Sequence, residues 1–343
     1  MSNLKHTEPI RIQASEMRDV LYRLFLKYKF AEEKAKSMAE VYTDSTLSGV
    51  NSHGINRVPL FVKYVEKGLI NVDAEAKKVE VFGNMERWDG HLGPGIINAV
   101  KCTDRATALA KQHGMGLVAL RNTNHWMRGG TYGWQVAEAG CIAICFTNTL
   151  PNMPPWGGKD NRIGNNPLVI SIPQTKGHIV LDMAMSQFSF GKINDYKLKG
   201  EKLPFPGGWD SQNNLTDDPE KILTQPRGLP IGYWKGSALS MILDMLATLL
   251  SAGDSTSKIG LREDETGISQ IFLCVFPEIF KDKRLQEKLL NEIINYTHDV
   301  EPMHPGDRTY YPGERALQTK TKNLKTGMPV SAEIWKKVLN LLG

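Results

Sequence analysis

The chain has 343 residues, 41% of them hydrophobic and 23% charged, with a formal net charge of +5. This is ordinary globular balance with length for two substantial lobes, and the scattered basic residues argue against a nucleic-acid stripe. With no leader-like segment and no apolar run near a membrane span, a soluble cytoplasmic protein is expected.

The first seventy residues read as helical. Ser15 is placed to cap a helix whose Met17, Val20, Leu21, Leu24 and Phe25 share one face. A second amphipathic run ends near Gly49, and a third, VPLFVKYVEKG, is stopped by Gly68. His53 lies between them in NSHGINR, at a helix junction where a side chain can face a cleft.

From about residue 76 strands and helices alternate. KVEVFG reads as a strand, followed by a helix with Pro94 near its start and Gly114 at its end. GLVALRNT, CIAICFTNT, NPLVISIP and HIVLDMA read as further strands, with TYGWQVAEAG a helix among them. Lys192 to Lys202 reads as a solvated surface segment, and residues 203–231, rich in Pro, Gly, Asn and Asp, as a long surface excursion bordering a site. GYWKGSALSMILDMLATLLSAG is a strongly apolar helix, expected to be buried. A strand (QIFLCVF), an amphipathic helix (KRLQEKLLNEIINYTHDV) and a final helix capped by Ser331 complete the chain. The expected organisation is α/β (α+β): a helical part over 1–75, packing with C-terminal helices at about 283–343, beside an α/β domain over 76–282.

No G-x-G-x-x-G joins a strand to a helix, so a Rossmann site is not expected. Gly114-Met115-Gly116 leads into a strand, while Gly93-Pro94-Gly95 lacks a third glycine and Pro94 removes an N–H donor. Cys102, Cys141, Cys145 and Cys274 form no CxxC pair and no zinc pattern, so buried thiols and no metal are expected. His6, His91, His113, His298 and His304 sit in polar or terminal contexts and are expected to be solvated. His53 and His125 differ, each set in a dense string of small and polar residues. Arg57 follows His53 by four residues, and a general acid beside a carboxylate-binding guanidinium is what reduction of a 2-keto acid requires. Arg57, Arg121 and Arg128 are the candidates for the carboxylate, with Arg57 favoured for its nearness to His53. The loop NTNHWMRGGTYGW adds Asn124, His125 and Arg128 at a strand end, where α/β proteins place ligands. Asn165 and Asn166 precede a strand, and Asp182 is an acid in a strand that otherwise reads as buried, so it is either paired or functional. From the residues alone the reading stops at an α/β enzyme with a histidine site.

In their order, SHGINR, VALRNTNHWMRGGTYGWQ, MPPWGGKDNRIGNNPL, VLDMAMSQFSFG, GYWKGSALSMILDMLATLLS and YYPGE resemble the type-2 malate/L-lactate dehydrogenase family over nearly the whole chain. The resemblance implies a non-Rossmann α/β fold, a homodimer, NADH as cofactor with NADPH also possible, and a small anionic keto acid as substrate. It implies His53 as proton donor. It places cofactor contacts at His178, Ile179, Val180, Leu181, Asp182, Met183 and Ala184, at Trp234 with Lys235, and at Gly313, Glu314 and Arg315. Whether Asp182 supports His53 or forms a structural ion pair stays open. So does the choice among 2-keto and 2-hydroxy acids (malate, lactate, sulfolactate), a cyclic imine, and a metabolite-binding protein that has lost the chemistry.

Overall fold

A computed structural model describes residues 9–277 and 282–343; His6 lies outside them. Ile10–Ile12 (β1) leads directly into α1 (Ala14–Lys27), followed by α2 (Glu32–Leu47) and α3 (Val58–Glu66). Ser15 does not cap α1: Gln13 occupies that position without a side-chain bond, and Ser15 lies inside the first turn. The reason is the pairing of Ile10–Ile12 with residues 328–330, which holds the chain extended up to the residue before the helix. The apolar face of α1 is buried as its periodicity demands, and Phe25, Phe30, Tyr42 and Phe61 pack ring against ring at 5.7–6.0 Å. Two single 3₁₀ turns, Asn51–His53 and Ile55–Arg57, join α2 to α3.

The hairpin of β2 (Lys77–Phe82) and β3 (Met85–Asp89) opens the sheet region. Next come α4 (Gly95–His113), β4 (Met115–Thr123), α5 (Gly130–Glu138), β5 (Ile142–Thr147), β6 (Leu168–Ile172) and β7 (Ile179–Met183). The excursion predicted for 203–231 carries short structure of its own. It is preceded by α6 (Phe190–Lys199) and contains β8 (Gly208–Trp209), β9 (Leu215–Thr216) and α7 (Pro219–Thr224), gathered on buried Ile193, Leu203 and Ile222. The chain continues through α8 (Trp234–Ser251), α9 (Thr256–Ile259), β10 (Ile268–Val275), α10 (Lys283–His298), α11 (Glu314–Thr326), β11 (Met328–Val330) and α12 (Ala332–Leu342). Ser331 caps α12 by accepting the Ile334 N–H.

The seven-stranded sheet runs β2-β3-β4-β10-β5-β6-β7. Only β3 and β4 pair in parallel; the other neighbours are antiparallel. The parallel unit β3–α4–β4 carries Gly93-Pro94-Gly95 in its first turn and not the full glycine fingerprint. On one face α4 and α5 pack over a core that includes Cys102, Trp126, Tyr132 and Phe272; on the other α8 packs through Leu243 and Ala247. At the chain's ends, α11 packs on α2, α12 on α1 and α3, and β11 on β1.

The expectation that α8 is buried is corrected. Leu239, Met241, Ile242, Met245, Leu246 and Leu249 are exposed, because the helix turns its small residues and Leu243 to the sheet and its larger ones outward. All four cysteines are buried. Among the described residues no group of three His, Cys, Asp or Glu could hold a metal, and no helix is long and apolar enough to cross a membrane.

Candidate active site

His53 is placed by the end of α2. Gly49 leaves that helix with φ +82, and the Thr46 hydroxyl then accepts the Ile55 N–H at 3.0 Å, clamping the two 3₁₀ turns to the helix. Gly54 lies so close that a Cβ there would stand 2.3 Å from Thr46 Oγ1. His53 Nδ1 is 3.1 Å from the Ser52 hydroxyl, and its ring stacks on that of His125 at 5.6 Å and 23°. Burial lowers the His53 pKa from its usual range; Asp182 raises it, while Arg57 and Arg128 press it down again. His125 is pushed lower still, by burial first and then by Arg57 and His53. Its Nδ1 accepts the Met127 N–H at 2.8 Å, which leaves the ring proton on Nε2. The pair is therefore one titratable imidazole against a neutral N–H donor.

Three arginines were candidates for a substrate carboxylate. Arg121 is engaged elsewhere, donating to Asp89 at 3.1 Å and to the Ala252 carbonyl at 3.3 Å. Arg57 lines a narrow cleft with Tyr64, Asn124 and His125, and among the described residues no carboxylate lies within ion-pair distance of it. Burial raises the pKa of Glu265, against which the Arg57 charge acts. Arg128 is 4% exposed, 3.8 Å from Asp182 and 4.0 Å from Asp44. Asn124 is buried as the loop's anchor: its amide donates to the Leu92, Gly93 and Leu69 carbonyls, while Oδ1 has no partner. Asn166 likewise holds Thr149 to Ser240. Asp182 is not the buried acid the strand pattern suggested. Because β7 is an edge strand its side chain is 28% exposed, with one oxygen accepting the Gly130 N–H at 2.9 Å.

The three segments singled out for a cofactor meet along that same edge. The Val180 N–H donates to the Pro312 carbonyl, bringing in the turn at Gly313, and beyond β7 the Ile231 N–H donates to Met185, setting exposed Trp234 and Lys235 at the start of α8. Gly313 has φ +96, and a Cβ there would meet the Val180 nitrogen at 3.1 Å and the His178 oxygen at 3.3 Å. Beside the turn a groove of about 370 Å³ runs between α2, α5 and α11, lined by Asp44, Trp134, Leu317 and Lys320 among others. An edge strand, a close-approach glycine and an exposed aromatic beside a lysine fit a dinucleotide. Glu314 departs from that reading, because its carboxylate is held by His298 and Arg308, each at 3.1 Å, and by the Tyr311 N–H. The same contact makes His298 partly buried and paired, not solvated as expected.

Sequence reasoning passed over Ser52, although it lies inside the motif that drew attention to His53. It also passed over Asp44 and Lys320, which form an ion pair beside Arg128. Asp44 carried a usable signal, being an acid among the buried Tyr42, Thr43, Ser45 and Thr46. Glu265 carried none.

The sequence profile of the malate/L-lactate dehydrogenase family matches residues 12–339. The chain is 40% identical over 333 residues to 2,3-diketo-L-gulonate reductase of Mannheimia succiniciproducens, covering 97% of this chain and all of the relative. It is 42% identical over the same length to the Haemophilus influenzae protein of that name, with the same coverage. Among solved structures, sulfolactate dehydrogenase from Methanocaldococcus jannaschii superposes with a TM-score of 0.88 at 28% identity, over 97% of this chain and 96% of that one.

Proposed function

We propose that this chain, which belongs to the malate/L-lactate dehydrogenase family, reduces 2,3-diketo-L-gulonate to 3-keto-L-gulonate with NADH and the proton of His53. The observation that carries this reading is the pairing of His53 with neutral His125 in one site with Arg57, a guanidinium with no carboxylate in ion-pair range among the described residues. Arg57 would hold the C1 carboxylate, and the His125 Nε2–H would donate to the C2 carbonyl oxygen as negative charge builds there. The C2 carbon gains a hydride, its oxygen takes the proton from the His53 imidazolium, and the imidazole is left neutral to be recharged from solvent. The reduced nicotinamide, when bound, supplies that hydride. Residues His178 to Ala184, Trp234, Lys235 and the backbone of Gly313 to Arg315 would hold it. Asp182 would act on His53 through its charge and on the loop through Gly130, as a positioning residue.

The test is absorbance of reduced nicotinamide with NADH or NADPH against 2,3-diketo-L-gulonate, pyruvate and oxaloacetate. Rapid oxidation of NADH with the diketo acid is expected. Activity confined to a control would leave an enzyme of this family with another substrate, and no oxidation under any condition would sink the reading.

The outward face of α8 bears on assembly. Six large apolar side chains on one helix make a patch of the kind monomers rarely leave open. The proposed partner is a second copy, giving a cytoplasmic homodimer. Light scattering is expected to report a dimer for the wild type and a monomer for Met245→Glu, which would place a charge in the middle of the patch. A wild type that stays monomeric at micromolar concentration would refute the assignment.

A further inference from the structure

Glu314 is a buried acid that the proposed reaction does not use. It is 7% exposed, and its carboxylate is occupied by its own chain. Oε1 accepts from Arg308 Nη2 and from Gln318 Nε2, each at 3.1 Å. Oε2 accepts from His298 Nε2 at 3.1 Å and from the Tyr311 N–H at 3.2 Å. A carboxylate is costly to bury, and donors from α10, the loop after it and α11 make this position tenable.

What the carboxylate holds is a turn. Tyr311-Pro312-Gly313-Glu314 closes with the Glu314 N–H donating to the Tyr311 carbonyl at 3.1 Å, and Gly313 takes φ +96 and ψ −21. A type II turn has such angles at its third residue and favours Pro and Gly as its central pair. The Glu314 side chain closes the same ring from the other end by taking the Tyr311 N–H. No side chain caps α11, and the Glu314 cluster ties its first residue to α10 and the preceding loop.

Two parts of the proposed cofactor site depend on that placement. The Pro312 carbonyl accepts the Val180 N–H at 2.8 Å, on the strand whose residues would hold the dinucleotide. Ala316 and Leu317, in the first turn of α11, line the groove of about 370 Å³ together with Trp134. Trp134 in turn lies 3.4 Å from where a Cβ on Gly313 would stand. A turn that swung away would release the edge of β7 and shift one wall of the groove at once.

We propose that Glu314 is a positioning residue of the cofactor site, holding the 311–314 turn and the start of α11 in place for the dinucleotide without touching it. The inference rests on the proposed binding of reduced nicotinamide along β7 and adds what sets its affinity. With two donors on each oxygen, the carboxylate has no lone pair left for a ribose hydroxyl.

The experiment is a fluorescence titration of the protein with NADH, beside steady-state kinetics with NADH and 2,3-diketo-L-gulonate. Glu314→Ala is expected to raise Kd and KM for NADH about 10- to 100-fold. In the same variant kcat at saturating NADH and KM for the acid should move less than about threefold. Glu314→Gln keeps one acceptor oxygen and should recover part of the affinity. His298→Ala and Arg308→Met each leave the other donors in place and should weaken NADH about 3- to 10-fold. Arg308 is exposed and His298 half-buried, so none of these variants strands a buried cation and the fold should survive. Joined to Glu314→Ala, His298→Ala should add no further loss, because the two side chains act as one unit. If His298→Ala or Arg308→Met leaves NADH binding unchanged or tightens it, the freed carboxylate is meeting the dinucleotide directly and the inference is overturned. Equal losses in kcat and in both KM values, tracking a lowered denaturant midpoint, overturn it too. A wild type that binds neither NADH nor NADPH ends the cofactor reading and the inference with it. If the wild type binds NADH and Glu314→Ala binds it equally well, only the role of Glu314 falls.

Discussion

His53→Ala is expected to lower turnover of the keto acid at least a hundredfold while leaving NADH binding intact, as judged by the fluorescence of the bound reduced nicotinamide. The size follows from what general acids contribute, about 10² to 10⁴ in rate, and from the absence of a substitute. His125 is the neighbouring ring, but burial, Arg57 and His53 push its pKa far down, and its Nδ1 is occupied by the Met127 N–H, so it stays a neutral hydrogen-bond donor and does not replace the imidazolium. The pH profile gives a second readout. Reduction needs the imidazolium, and burial with two nearby guanidinium charges places its pKa below the usual value of 6.5. In the free enzyme kcat/KM for reduction should therefore be highest at acid pH and fall as pH rises through a midpoint under 6.5. The reverse oxidation, which needs the neutral ring, should rise over the same interval. His53→Ala should flatten both limbs. Turnover within a few fold of wild type, or a variant that keeps the acid limb, would remove His53 from the proton step.

How far the sequence alone leads differs from part to part, for physical reasons. Helices that bury one face against their own chain were legible: Met17, Val20, Leu21, Leu24 and Phe25 are all buried as spaced. The strand β3 was not, because Glu86 breaks its apolar alternation. Glu86 is 3% exposed, yet it is satisfied by Arg105 from α4, by Lys78 and by the Trp88 indole, a solution assembled from three elements. The apolar run of α8 announced a helix but not what covers it, since burial by the same chain and burial by a second copy leave the same composition. Asp182 was misjudged as buried because alternation gives a strand's faces and not its place in the sheet. The two histidines were legible as unusual. Their stacking, and the division into one titratable ring and one neutral donor, depends on the backbone N–H of Met127 and on charges brought in from the 3₁₀ turn before α3, β7 and the loop before α5.

That loop is held in place by a contact no motif announces, and breaking it should have the largest structural effect of any single methyl group near the site. Gly95 begins α4 against the strand-end carbonyls of Asn124 and His125, and a Cβ there would stand 2.0 and 2.3 Å from those two oxygens. Neither neighbour can yield cheaply. Asn124 is fastened by three amide bonds to the 69–93 backbone, and its carbonyl receives the Gln270 amide from β10, so a shift of the loop breaks buried hydrogen bonds on both sides. Gly95→Ala is thus expected to cost about 3 kcal/mol or more, as overpacking against backbone does. The control is Gly83→Ala in the β2–β3 turn, where φ is +59 but nothing lies within 4 Å of the added carbon; there only the left-handed conformation is penalised, at about 1 kcal/mol. Denaturant unfolding followed by tryptophan fluorescence orders the two, since Trp126 is a buried member of the displaced loop. Equal stability of the two variants would mean that the start of α4 can slide away from the strand end, and that His125 is positioned by the fold as a whole and not by this one close approach.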